Sequence, residues 1–298
     1  MTAAPRLTSQ PGDTMSPSDV HRVESLSHRG RILTWILGSG VTFGYGALIS
    51  DVRASWVDAQ GRELYHIDVL QKIYPVGHWM IAGFSGSVAF GFQTIADLQR
   101  FFRDAPANQS YLPERAAWTW YRRARRAFAL APTDIQALSA SIILVGASPM
   151  MNGPFPWARC MRMRAPSFEP ERIKGPSWTS IGIGSTHETA RQLADQTIDQ
   201  LWDTHARGEI GRPGGTAVSV ATTVGLELAR TPVPFVSSQL QVGIVRLGRH
   251  DIHTLEGQLH GPAWSSWKLV ESRGLATSWD EFQGLASGAG FRAASATT

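Results

Sequence analysis

Apolar residues fall in short runs before residue 85, at helical spacing from 88 to 128, and in short runs again from 141. Residues 32–50 carry no charge and are almost long enough to span a bilayer. They also contain Gly38, Gly40, Gly44 and Gly46, and they end directly on Asp51. Two strands explain this pattern better than a membrane helix: one over residues 31–38 and one over 47–55, joined by turn residues from Ser39 to Tyr45. Gly61-Arg62-Glu63 reads as the turn of a further hairpin. Residues 72–76 and 79–84 read as two more strands around Gly77-His78.

The period then changes. Val88, Phe92, Ile95, Leu98 and Phe102 share one helical face. Beyond Pro113, a residue suited to a first helical turn, Ala117, Trp120, Tyr121, Ala124 and Phe128 do the same. Strand patterns return over residues 141–146, 158–164 and 178–183. A long helix is expected with Ala190, Leu193, Ala194, Thr197, Leu201 and Trp202 on one stripe, and another over residues 216–229. A late strand covers 240–247. Strand blocks separated by paired helices predict two stacked antiparallel sheets with helix layers outside, not a doubly wound parallel sheet.

Composition narrows the function classes. A hydrophobic fraction of 43% with 17% charged residues is that of a globular chain. The net charge of +4 is too mild to argue for nucleic acid, so Arg122, Arg123, Arg125 and Arg126 read as a solvated helix face. The single cysteine, Cys160, excludes an internal disulfide framework and a cysteine-rich metal site, and it fits a reducing, cytoplasmic setting. The nine histidines, His78 and His187 among them, show no metal-ligand spacing, so neither metal nor cofactor is expected. Residues 1–30 are polar and lack the apolar core of a signal peptide. They read as an extension or propeptide, residues 31–250 as the main domain, and 251–298 as a C-terminal extension with a possible short helix around Trp279.

Five short motifs, in order, carry a resemblance. They are Ile49-Ser50-Asp51-Val52-Arg53, Lys72-Ile73-Tyr74-Pro75-Val76, Ser85-Gly86-Ser87-Val88-Ala89, Ser180-Ile181-Gly182-Ile183-Gly184-Ser185, and Val236-Ser237-Ser238-Gln239-Leu240-Gln241-Val242. Together they resemble the proteasome β-type subunits and their bacterial proteasome-like homologues, which are N-terminal-nucleophile hydrolases. The resemblance runs from about residue 32 to 250. It implies an α+β fold, the four-layer αββα sandwich of two antiparallel sheets flanked by helices.

The resemblance also implies roles. In that family a threonine hydroxyl at the mature N-terminus is the nucleophile and its own α-amine the base. A lysine lowers the proton affinity of both, an aspartate fixes the lysine, and a glycine N–H forms the oxyanion hole. Carried over, Thr34 is the candidate nucleophile, Asp51 and Lys72 the charge pair, and Gly86 the oxyanion donor. Arg53, Ser87 and Ser237 are supporting residues. The chain departs from the family in four places: Leu33 precedes Thr34 where a glycine is usual, Ile183 replaces a serine, the orienting aspartate and serine before the last strand are not evident, and the segment from Asp51 to Lys72 is longer.

The expected function is a threonine-type peptidase acting on peptides or unfolded protein within a homo-oligomeric ring or stack, with no nucleic acid and no membrane. Two alternatives stay open. One is a catalytically inactive subunit with a scaffold role; the other is an amidohydrolase acting on a small amide.

Overall fold

The computed structural model describes residues 35–42, 45–57, 63–103, 113–148, 157–173, 178–182, 236–237, 239–246, 249–260, 264–271, 274–288 and 292–293, with isolated positions between 192 and 226. Chain order begins with a hairpin of β1 (Trp35–Thr42) and β2 (Tyr45–Asp51), followed by a second of β3 (Arg53–Val57) and β4 (Glu63–Asp68). Then come β5 (Ile73–Val76), β6 (Met80–Gly86) and three helices, α1 (Val88–Arg103), α2 (Pro113–Ala129) and α3 (Thr133–Ala137). The later elements are β7 (Ala140–Ser148), β8 (Trp157–Arg164), β9 (Glu171–Ile173), β10 (Thr179–Gly182), β11 (Leu240–Arg246), β12 (Arg249–His260), β13 (Trp264–Glu271), α4 (Trp279–Gly288) and β14 (Arg292–Ala293).

These strands make three antiparallel sheets. One has six strands in the order β10-β1-β2-β11-β12-β13, one has five in the order β5-β6-β7-β8-β9, and one has three in the order β14-β4-β3. The six- and five-stranded sheets face each other across Ile36, Leu48, Ile73, Ile81, Ile143, Val145, Ile181 and Val245, all buried. Gly40 shows how closely they approach: a β-carbon there would collide with the backbone of Arg159 and Cys160 on β8. Gly40 was expected in a turn, but β1 runs on to Thr42 and the glycine serves sheet contact instead.

The helices α1 and α2 arise where the apolar spacing predicts them. They bury Phe90, Phe92, Leu98, Trp120 and Phe128 against a core shared with Phe84, Leu144 and Met161 of the five-stranded sheet. Asp97 latches one helix to the other, accepting from the Trp120 indole at 2.9 Å and from the Arg123 guanidinium at 2.8 Å. Helix α4 stacks Phe282 on Trp56 of the three-stranded sheet, with ring centroids 5.9 Å apart.

The expected αββα sandwich is corrected by this arrangement. The described residues are mostly strand, in three antiparallel sheets instead of two, with few helices, and not a pair of sheets flanked by helix layers. Two segments account for the difference. The residues between Asp51 and Lys72 form a hairpin that belongs to a separate sheet. Residues 251–298, expected as an extension, complete the long β12–β13 hairpin that widens the six-stranded sheet. The helices expected around 190–202 and over 216–229 lie outside the described residues, isolated positions apart. Among the described residues no helix is long and apolar enough to cross a membrane.

Candidate active site

Residues 47–55 read in sequence as one strand, yet the chain changes sheets in the middle of it. β2 ends at Asp51, Val52 links, and β3 starts at Arg53 in the three-stranded sheet. The Val52 carbonyl accepts from the Leu70 N–H at 2.9 Å, which closes the base of the β3–β4 hairpin and returns the chain beside its starting point. Ala276 then pins the next residues, donating to the Val69 carbonyl at 2.6 Å and accepting from the Gln71 N–H at 3.1 Å. Lys72 emerges from this point at the head of β5, and the Gln241 side-chain carbonyl accepts from its backbone N–H at 2.8 Å.

Asp51 and Lys72 therefore meet at one end of the stack, from different sheets. The Lys72 ammonium lies 2.5 Å from Asp51 Oδ1, and both side chains are fully buried. The second oxygen, Asp51 Oδ2, accepts from the backbone N–H of Arg53 at 3.0 Å and of Ser237 at 3.5 Å. A carboxylate and an ammonium removed from water are costly unless paired and hydrogen-bonded, and this pair has both kinds of support.

Burial dominates the electrostatics. It pushes the Asp51 carboxyl up, against the pull of the Lys72 charge and three hydrogen bonds. It pushes the Lys72 ammonium down, against the attraction of Asp51 and, more weakly, Asp68. Both groups are displaced toward the point at which a proton can be exchanged between them. A lysine so placed offers a positive charge in a low-dielectric setting, where it acts strongly on any neighbouring hydroxyl or amine.

A second carboxylate completes the cluster. Asp68, at the end of β4, accepts from Arg53 Nε at 2.8 Å, from Arg53 Nη2 at 3.1 Å and from the Ser237 hydroxyl at 3.0 Å. Burial alone would raise its carboxyl, but the Arg53 guanidinium and the Ser237 hydroxyl outweigh that, and Asp68 titrates below the ordinary value. Ser237 Oγ also accepts from the Gln239 N–H at 3.1 Å.

Of the residues singled out in the sequence, Asp51, Lys72, Arg53 and Ser237 are thus brought together. Gly86 and Ser87 stand at the junction of β6 and α1. Gly86 has φ +105°, and a β-carbon there would meet the Ser139 carbonyl and Ala140. The Ser87 hydroxyl accepts from the Phe90 N–H at 3.4 Å and so caps the start of α1. Thr34 lies outside the described residues. Its neighbour Trp35 is buried at the start of β1, and Ile36 pairs with Ser50, so β1 starts alongside the end of β2 that carries Asp51.

Two residues of the site were missed from the sequence. Gln241 lay inside a quoted motif with no role assigned to it. Asp68 had no motif at all. A compositional signal was overlooked as well: 25 of the 28 basic residues are arginine, and only Lys72, Lys174 and Lys268 are lysine. An arginine cannot give up its proton in this range, whereas a lysine can. Among the described residues no cluster of His, Cys, Asp and Glu is arranged to hold a metal ion. No protein-family model matches the sequence, and no curated protein matches it.

Proposed function

We propose that this chain is a proteasome-like subunit of the N-terminal-nucleophile class that hydrolyses peptide bonds, with Thr34 as the nucleophile once residues 1–33 are removed. The observation that carries this reading is the fully buried Asp51–Lys72 pair, held by two backbone N–H donors next to the strand that follows Thr34. In the proposed reaction the Thr34 hydroxyl oxygen attacks the scissile carbonyl carbon, and its proton passes to the Thr34 α-amine. Lys72 favours this transfer through its charge, and Asp51 keeps Lys72 in place. The Gly86 N–H is the proposed donor to the developing oxyanion. The C–N bond then breaks and the proton leaves with the amine product. Water cleaves the remaining ester, restoring the hydroxyl and releasing the acid. The substrate class is peptide or unfolded protein, and the setting is a cytoplasmic homo-oligomer.

The intact mass of the purified protein tests this. A mass lacking residues 1–33, turning to full length in Thr34→Ala and Lys72→Ala, supports the reading. A full-length wild-type chain that cleaves no peptide overturns it, because an amine still tied up as an amide cannot serve as the base.

A second reading, an inactive subunit that builds an assembly, is favoured by one observation. Gly86 and Ser87 are fully occupied as a tight turn and a helix cap, roles that need no chemistry. Full-length chains in large homo-oligomers would support it.

A further inference from the structure

The hydrogen bonds around Asp51 close into a loop. Two backbone N–H groups hold its outer oxygen, those of Arg53 and Ser237. The side chains of the same two residues both bond to Asp68, through the Arg53 guanidinium and the Ser237 hydroxyl. One carboxylate therefore ties together the two residues whose amides orient another. It does so across three parts of the chain: the start of β3, the end of β4, and the segment leading into β11. Removing it would take the Arg53 side chain's hydrogen bonds to Asp68 and leave the Ser237 hydroxyl with the Gln239 N–H, while leaving every direct contact of Lys72 in place.

We propose that Asp68 is the positioning residue of this site: through Arg53 and Ser237 it sets the orientation of Asp51, and through Asp51 the proton affinity of Lys72. This deepens the reading of the site as a hydrolase centre and rests on it for its catalytic consequence. The hairpin that carries Asp68 is the extra length between Asp51 and Lys72. The β3–β4 hairpin thus supplies an orienting carboxylate to the site. Among the described residues, three charged or titratable groups act on Asp68 or on its neighbour in the site. Arg53 is bonded to it, His66 stands on its own strand, and Lys72 lies within electrostatic reach. The Asp68 charge supports the protonated form of Lys72, so its loss moves Lys72 toward the neutral amine.

The scarcity of lysine makes this measurable without a substrate. The full chain is labelled with lysine carrying 15N at the side chain, giving at most three ammonium signals, assigned with Lys174→Arg and Lys268→Arg. In the wild type the Lys72 signal is slow to exchange because the group is buried and paired. In Asp68→Asn, which keeps the shape and removes the charge, the Lys72 titration moves to lower pH and exchange with water quickens. Asp68→Glu restores part of the change. Ser237→Ala removes a hydroxyl and no charge, so it separates positioning from the direct loss of the Asp68 charge: it moves the signal in the same direction by less, and an unmoved signal in the folded variant overturns the proposal. An unchanged Lys72 titration in folded variants overturns the proposal. Peptide hydrolysis is read in parallel. Asp68→Asn is expected to lower kcat on the order of 10- to 100-fold with little change in KM, the pattern of a misplaced but intact charge pair. If the wild type hydrolyses no peptide, the hydrolase reading fails, and the lysine signal still decides the role of Asp68.

Discussion

Lys72 and Asp51 are both fully buried, so each is the other's main charge compensation for lost hydration. Taking away one partner strands the other. Lys72→Met is therefore expected to destabilise the fold by about 3–5 kcal/mol, whereas the double variant Asp51→Leu/Lys72→Met recovers most of that loss. Urea denaturation of the three proteins checks this. Equal losses in the single and double variants would mean that the pair is not what stabilises this end of the stack. The pair was legible in the sequence because its members sit in ordered motifs with distinctive neighbours. Asp68 was not legible, since its partners Arg53 and Ser237 lie 15 and 169 residues away and nothing local marks the meeting. Cys160 belongs to this scale too. It is buried on β8 and its thiol is pushed up to about 12, so the native protein should not react with a thiol reagent at pH 8. One thiol per chain should appear after denaturation; rapid labelling of the native chain would contradict the burial.

The break between β2 and β3 is the element-scale event on which the site depends. No glycine or proline interrupts residues 47–55, so local pattern predicts one strand there. The chain instead switches sheets there, because Leu240 pairs with Asp51 on one side and Asp68 with Arg53 on the other. A similar contrast holds at Gly40, read as a turn residue and found where a sheet needs the absence of a side chain. The helices were better served, since their 3.6-residue period is intrinsic to the segment and requires no distant partner. At the β6–α1 junction two substitutions separate turn from cap. Gly86→Ala places a side chain at φ +105° against the Ser139 carbonyl and should cost about 1–3 kcal/mol. Ser87→Ala removes the cap of α1 and should cost about 1 kcal/mol. Thermal denaturation ranks them, and a Gly86→Ala variant as stable as wild type would show that the junction tolerates a β-carbon.

For the whole molecule, acid stability follows from the same cluster. The Arg53 guanidinium and the Ser237 hydroxyl hold the Asp68 carboxyl below the ordinary aspartate value, so its stabilising contribution is present above that value and is lost as pH falls through the native one. Asp51, raised by burial, works in the opposite sense, so the Asp68 contribution is read as the difference between wild type and Asp68→Asn. The stability difference between those two proteins is therefore expected to be constant near neutrality and to shrink as pH falls below about 4. Urea titrations at a series of pH values read it, and a difference that grows on acidification would reverse the sign assigned to Asp68. The sheets bear on the same question of what was legible. Two antiparallel sheets could be inferred from strand blocks, because each block is a local run of apolar residues. The third sheet and the β12–β13 hairpin could not. The third sheet depends on the long-range pairing of β14 with β4, and the β12–β13 hairpin, though it pairs with its chain neighbour β11, lies in residues read as an extension. The sequence by itself determined where α1 and α2 begin, which short runs become core strands, and that an aspartate and a lysine stand ready for charge chemistry. Those properties are set by spacing and residue type along a few turns of chain. Tertiary structure alone decided that the chain changes sheets at Val52, that the hairpin before Lys72 joins a separate sheet, and that Asp68 gathers the two residues holding Asp51. Each of these is a choice of partner among distant segments, made by burial and hydrogen bonding once the sheets come together.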